Sequence, residues 1–306
     1  MAQSLAVLKR RGNRIKLSNA DRVYQFIIIS IVGLFTFLCV FPLFYVVGMS
    51  LTSEGELIQR NWFVIFPWRP TWRAYWLIMN RTQNFFNSIF ITVTRAILGV
   101  PFGLVLVVPG GYILAKQDLP GRRFFMMFLV VTMILGGGII PSYMLIRSLG
   151  MLDTFWVYLI PAMGSTFNML IIKLFVENMP EELMESAELD GASEMQKLFR
   201  IAIPLLVPTI CALSLFTVVG HWNDWFTTLI YVNKAELYPV QFVIRALMTS
   251  TSMQDSTTGA LTVFERTTPQ SVKMASVVLA VLPVLLVYPF MQKYFIYGVF
   301  TGSVKG

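Results

Sequence analysis

The feature that most restricts what this chain can become is a series of apolar runs, each long enough to cross a lipid bilayer as a helix. The first, from Phe26 to Leu51, contains no Asp, Glu, Lys or Arg. Lipid offers a backbone no water to bond, so such a run must close its hydrogen bonds internally, as a helix does. Runs of this kind recur at roughly 25–51, 85–115, 124–147, 154–176, 201–231 and 271–298. The expectation is an all-α membrane protein with six transmembrane helices. Composition agrees: of 306 residues 56% are hydrophobic and only 13% charged, with a mean hydropathy of +0.67. A soluble fold of this length could not hide that much apolar surface.

The net charge of +8 does not point to nucleic acid, because the basic residues form no stripe with interleaved aromatics. They sit beside the apolar runs. Lys9, Arg10, Arg11, Arg14, Lys16 and Arg22 precede the first run, and Lys116, Arg122 and Arg123 lie between the second and third. By the excess of Lys and Arg on cytoplasmic loops, both regions are read as cytoplasmic, and six spans put both termini there. Arg60, Arg69, Arg73 and Arg81, in the first external loop, run against that contrast. The first run exceeds a signal-peptide core and has no A-x-A site after it, so it reads as a retained span. The organisation is then a tail at 1–24, a transmembrane domain at 25–298 with a polar cytoplasmic segment at 177–200, and a tail at 299–306.

Several chemistries are disfavoured. Cys39 and Cys211 lie within apolar runs and read as buried, inert thiols rather than a disulfide framework. His221 is the single histidine, which removes His-rich metal sites and makes a Ser-His-Asp triad improbable. No catalytic residue and no metal ligand is expected. Nor is there a G-x-x-x-x-G-K-[ST] phosphate loop, so nucleotide-driven work would need a separate subunit.

Glu177 to Arg200 reads ENMPEELMESAELDGASEMQKLFR, too polar to span a bilayer and too patterned for a plain linker. Leu183, Met184 and Ala187 recur at helical spacing, and Met195, Leu198 and Phe199 do so again beyond Gly191. Two short amphipathic helices broken by a glycine follow, with Pro180 at the first start, Asp190 capping the second, and Pro204 in the first turn of the next span. Neither helix can bury its apolar stripe alone. An interfacial helix lying on lipid is one reading. Glu181, Glu182, Glu185, Glu188, Asp190 and Glu194 outnumber Lys197 and Arg200, and anionic lipid repels such a face, which favours a protein partner.

At this segment the chain resembles the permeases of binding-protein-dependent ABC importers. Their signature is E-A-A, three residues, G, nine residues, I-x-L-P; here it is Glu185-Ser186-Ala187, Gly191 and Ile201-Ala202-Ile203-Pro204, with Ser186 and Ile203 the departures. The resemblance implies a type I importer permease fold whose cytoplasmic coupling helices sit in a groove of an ATPase. Glu185, Ala187, Asp190, Gly191, Ala192, Phe199, Ile201 and Pro204 would then be the coupling residues. It also implies a second permease subunit in a heterodimer, two ATPase subunits holding ATP and Mg, an extracellular solute-binding protein, and residence in a bacterial cytoplasmic membrane. The chain itself would hold no cofactor and catalyse nothing. Asn87-Ser88, Lys116 to Arg123 and Leu189-Asp190-Gly191-Ala192 look like the carbohydrate branch. Gly136 to Pro141 and Phe167-Asn168 are similar to permeases for complex oligosaccharides of the polygalacturonan type. Pro109-Gly110-Gly111 departs from the usual pattern before Tyr112.

Ionisable residues at membrane depth are costly and are functional candidates by default. Arg95 in the second span and Asp224 near the end of the fifth have similar depth and opposite charge, and are expected to pair beside a translocation path with Trp222, Asn223 and Asn168. Trp222 and Trp225 suit stacking on sugar rings, but an interfacial tryptophan belt, expected of any span at this depth, is the favoured reading. Gly136 to Gly138 and Pro283 read as packing and kink positions. Thr249 to Gly259 reads as solvated surface, placed where the family's loop reaches toward the binding protein. The rival classes are an importer permease for another solute, an ion-coupled secondary transporter, for which only Asp224 is a suitable intramembrane acid, and a membrane sensor that holds a cytoplasmic partner without transport.

Overall fold

The computed structural model describes residues 19–81, 85–251 and 267–302. The basic residues from Lys9 to Lys16, most of the stretch from Thr249 to Gly259, and residues 303–306 lie outside the described residues. The chain runs through α1 (Asn19–Ser50), α2 (Glu54–Gln59), α3 (Arg73–Arg81), α4 (Phe85–Ala115), α5 (Arg122–Ile134) and α6 (Ile139–Ser148). Two 3₁₀ turns lead to α7 (Thr166–Glu177), α8 (Glu181–Leu189) and α9 (Glu194–Lys197). A π-helical turn at Leu198–Ala202 joins α9 to α10 (Ile203–Asn223), followed by α11 (Phe226–Tyr231), α12 (Val240–Thr251) and α13 (Pro269–Gly302). No strand occurs among the described residues.

Four helices are long and apolar enough to cross a membrane on their own, or six if each of two bent pairs is one span. The second run is read from sequence at the same bounds that α4 shows, but three others need correction. The run at 124–147 is two helices bent by 109°. Its break is Gly136-Gly137-Gly138, where Gly138 holds φ +78° before α6, a conformation that costs a side chain free energy and a glycine almost none. The run at 154–176 bends by 41° between Ala162 and Thr166, where Ser165 caps α7 by accepting the backbone N–H of Asn168 at 3.3 Å. The run at 201–231 stops at Asn223, because Asp224 turns extended and its Oδ1 accepts the N–H of Thr227 at 3.1 Å, opening α11.

The core is organised around α4. One end packs Val107, Val108 and Tyr112 against Ile172 of α7 and against Leu198, Ala202, Leu206 and Leu213 of the α9–α10 unit. Close contact with α7 accounts for Gly110 and Gly111; nothing in the structure explains Pro109. A Cβ on Gly111 would stand 2.6 Å from the Ile172 Cβ, and one on Gly110 would stand 2.7 Å from the Met169 side chain. α4 and α7 therefore cross closer than any larger residue permits. A second cluster joins Ala74 and Ile78 of α3, Trp222 of α10, Val240, Val243 and Ile244 of α12, and Ala275 of α13. By contrast α1 packs along α13 and exposes Phe26, Ile29 and Phe35; α5 buries none of its residues. Surfaces this apolar suit lipid or a second membrane chain. Cys39, expected to be buried, is exposed on α1, while Cys211 is half-buried; both thiols are free.

Candidate functional site

The polar segment folds as a hairpin of two short helices, as its periodicity predicts. Its turn is a Schellman motif at the end of α8. The N–H of Ala192 reaches the Ala187 carbonyl at 2.9 Å and that of Gly191 the Glu188 carbonyl at 3.0 Å, while Gly191 takes φ +78°. A Cβ added at Gly191 would meet nothing within 4 Å. The glycine is required by its backbone angle, not by crowding. Asp190 is the C-cap of α8 rather than the cap of the next helix. That cap is Ser193, whose Oγ accepts the Gln196 N–H while the Gln196 side chain accepts the Ser193 N–H, a complete capping box. Sequence reasoning chose the acidic residue because both types cap well; the hairpin needs two further residues to complete its turn. Ser186, at the first departure from the signature, turns its hydroxyl onto the Glu182 carbonyl at 2.6 Å.

The apolar stripe of the hairpin divides in two. Met184 and Leu198 pack inward against the α4, α7 and α10 cluster. Leu183, Met195 and Phe199 remain exposed, and Leu189 is 89% exposed. Glu185, Asp190, Gly191 and Pro204 are exposed with them, and Ala187, Ala192 and Ile201 are half-buried. Exposed leucine, methionine and phenylalanine leave an uncovered apolar surface on a charged hairpin. Beside it, Asp118, Glu181, Glu185 and Glu188 line a cleft of about 420 Å³ between the hairpin and the end of α4.

That end of α4 is tied to the hairpin by an ion cluster the sequence does not disclose. The Glu194 carboxylate receives Lys116 on one oxygen, Lys197 on the other at 2.7 Å, and the Tyr112 hydroxyl at 3.1 Å. Lys197, whose side chain is only 6% exposed, also reaches Glu188 at 3.1 Å. Burial alone would raise the Glu194 pKa, but the hydrogen bonds from Lys116, Lys197 and Tyr112 hold it down at about 2. The hydrogen bonds that Lys197 donates to Glu194 and Glu188 push its pKa up. Glu194 and Lys197 both stay charged through the neutral range.

At the opposite end of α4 the expected pair is present. Arg95, 0% exposed, stands 3.4 Å from Asp224. Its guanidinium also donates to the backbone carbonyls of His221 and Asp224 and lies over the Tyr158 ring at 4.9 Å. Tyr158 is held by Thr228 at 3.0 Å and by the Leu237 carbonyl at 2.9 Å. Arg95 thus cross-links α4 to the end of α10, and only its Nε lacks a partner among the described residues. Tyr158 and Thr228 escape a sequence reading because no local spacing relates them to Arg95.

The other path candidates do not converge on this point. Trp222 is a correction: it is buried in the α3, α10, α12 and α13 cluster and donates its indole N–H to the Ala280 carbonyl at 3.0 Å, so its ring faces neighbouring helices rather than a path. Asn223 is exposed next to Asp224. Asn168 lies in the first turn of α7 beside Met169, which abuts Gly110, about 22 Å along α4 from Arg95 at the rise of a helix.

A multi-pass helical chain that presents a capped, partly apolar hairpin for a partner defines a class: the membrane permease subunits of ABC importers. The chain belongs to the family of binding-protein-dependent transport system inner membrane components, whose model matches residues 14–300. It is 37% identical over 291 residues to Protein LplC of Bacillus subtilis, covering 94% of this chain and 97% of that one. It is 33% identical over 286 residues to the polygalacturonan/rhamnogalacturonan transport system permease protein YtcP of the same organism, covering 94% and 99%. A solved bacterial ABC transporter involved in the import of the acidic polysaccharide alginate contains a chain that superposes with a TM-score of 0.80 at 28% identity, covering 91% of this chain and 99% of that chain.

Two outcomes follow. Removing the Asp224 carboxylate leaves a cation buried, whereas removing Arg95 leaves a carboxylate that is 29% exposed. Asp224→Asn should therefore cost more stability, about 2–4 kcal/mol, than Arg95→Met, at about 1–3 kcal/mol. Thermal unfolding of the purified protein ranks them. Exchanging the two charges should rescue neither, since the backbone carbonyls accept only from a donor at position 95. At the hairpin, Gly191→Val should cost about 1–2 kcal/mol through its left-handed backbone and depress transport, while Gly191→Asn retains most of it; equal transport by both variants would contradict the turn's role.

Proposed function

We propose that this chain is one of two permease subunits of an ATP-driven importer that brings a complex, acidic oligosaccharide across a bacterial cytoplasmic membrane. A second, different permease completes the pathway, two ATPase subunits carrying ATP and Mg bind beneath, and an extracellular binding protein delivers the sugar. The observation that carries the reading is the exposed hairpin of α8 and α9, built on the E-S-A, Gly191 and I-A-I-P residues, within a fold that follows the alginate transporter chain at a TM-score of 0.80. The names of YtcP and of the alginate transporter support acidic sugars as cargo.

In this reading the hairpin faces the cytoplasm, both termini lie on that side, and six spans follow from counting each bent pair as one. ATP binding draws the two ATPases together and displaces the two hairpins they hold; the spans then open outward to receive the sugar, and hydrolysis resets them. The chain performs no covalent step. Glu185, Asp190 and the exposed Leu183, Leu189, Met195 and Phe199 meet the ATPase, with Gly191 setting the angle between the helices. Ala187, Ala192, Ile201 and Pro204 hold the hairpin to the membrane domain. Arg95 and Asp224 brace the outer end, with Asn223 beside them as the exposed polar group available to a sugar hydroxyl. An ion-gradient mechanism needs an acid free to exchange a proton or cation, and Asp224 is engaged by Arg95.

The test is uptake in proteoliposomes holding this chain with the permease, ATPase and binding protein encoded beside it. The expected result is ATP-dependent accumulation of labelled oligogalacturonide, competed by unlabelled acidic oligosaccharides and not by neutral maltooligosaccharides. Uptake driven by an ion gradient without ATP, or competition by neutral sugars alone, would overturn the reading.

A further inference from the structure

Besides its joint to α7 and the inward packing of Met184 and Leu198, the hairpin has two further routes by which a displacement could enter the membrane domain. One is the covalent route, from α9 through the π-helical turn at Leu198–Ala202 into α10. That route is compliant. A π turn carries wider, rarer hydrogen bonding than an α-helix and marks a local defect in it. Pro204, at the start of α10, has no N–H with which to bond the carbonyl four residues earlier. A push on α8 and α9 can be absorbed there by re-registering one turn.

The second route is through side chains. Glu194 takes Lys116 and Tyr112 from the end of α4 and Lys197 from α9, and Lys197 takes Glu188 from α8. Lys116 also lies over the Tyr112 ring at 5.5 Å. Glu194 and Lys197 thus link three elements, α4, α8 and α9, and the cation at the centre, Lys197, is almost wholly shielded from water. An exposed ion pair contributes little, but a network around a buried cation is costly to open, because its members lose their partners together. The neighbouring pair formed by Arg122 and Glu177 ties α5 to α7 and includes no hairpin residue.

We propose that Glu194 is a positioning residue for transport: its carboxylate fastens the hairpin to α4, so that α4 is carried directly with the hairpin's stroke. α4 is suited to that role. Tyr112 and Arg95 lie 17 positions apart on it, about 25 Å of one helix that stays unbroken through its internal Pro101 and Pro109, and Arg95 grips the far end of α10 through two carbonyls and Asp224. Motion received at Glu194 is delivered at the outer end of α10 without passing through the π turn. The inference rests on the importer reading above. It adds the residue through which ATPase movement reaches the pathway.

The experiment measures, in the same proteoliposomes, ATP hydrolysis stimulated by the loaded binding protein and sugar transported, for wild type, Glu194→Gln, Lys116→Met, the double variant and, as control, Lys173→Met, which removes an ion pair with Glu177 inside α7 at 2.7 Å. If the clamp carries the stroke, Glu194→Gln and Lys116→Met each keep the ATPase bound and hydrolysing while sugar moved per ATP falls on the order of tenfold. The double variant is then no worse than either single one, and Lys173→Met matches wild type. An unchanged ratio, a parallel fall of hydrolysis and transport, loss of the ATPase from the complex, or multiplying defects in the double variant would each overturn the proposal. Lys116 is partly exposed, so its variant keeps the test open if Glu194→Gln does not fold. Absence of any ATPase from the purified wild type would instead sink the importer reading itself.

Discussion

A guanidinium shut away from solvent must be met by acceptors, and the end of this molecule remote from the hairpin is arranged to meet Arg95. A charge without partners at that depth would cost several kcal/mol. Here it receives two carbonyls at the end of α10, the Asp224 carboxylate and the face of Tyr158. The carbonyls are available because α10 stops at Asn223, where Asp224 leaves the helix and its Oδ1 accepts the N–H of Thr227 in the first turn of α11. One residue therefore ends a helix, begins another and neutralises the cation that joins them to α4. α4 thereby becomes the member against which α7, α10 and α12 are all placed.

The hairpin end obeys a different economy. Its charges are outside the apolar core and could be left to water, yet the chain spends four of them on a single cluster around Glu194 and Lys197 while leaving Leu189 and Phe199 bare. Hydrophobic side chains are exposed where a partner can bury them, and ionic ones are engaged where the hairpin must not shift against α4. A lipid-bound helix would use its side chains the other way, with apolar groups down and basic groups in the headgroup layer. The Schellman turn at Gly191 and the capping box at Ser193 satisfy the backbone groups of this short hairpin without help from the partner, so its shape precedes docking.

Much of this was legible in the residues. The second span is read from its apolar run at the bounds the structure has, because nothing in that run asks for a break except prolines that a neighbouring helix can accommodate. Gly191 is legible as a turn, since a glycine between two amphipathic stretches has few other uses. Arg95 and Asp224 are legible because charges in apolar runs are conspicuous. What failed were features decided by tertiary fit. Three adjacent glycines at 136–138 admit a tight helix crossing or a break, and only the fold selects the break. Trp222 looks identical in sequence whether it faces a path or a neighbouring helix, and its bond to Ala280 spans 58 positions. Glu194 reads as one acid among seven in its segment until α4 brings Tyr112, 82 positions away, and the nearby Lys116 to it.

The central claim is that the exposed face of this hairpin lies on the cytoplasmic side and is covered by an ATPase. Leu189 reports on both parts, as the most exposed apolar side chain of the segment at 89%. The measurement uses Leu189→Cys in a chain whose Cys39 and Cys211 are replaced by serine, treated with a membrane-impermeant maleimide in oriented vesicles. The account predicts labelling in inside-out vesicles stripped of the ATPase, protection when the ATPase is restored, and no labelling from the outside. Labelling from the outside, or labelling that the ATPase leaves unchanged, would contradict it.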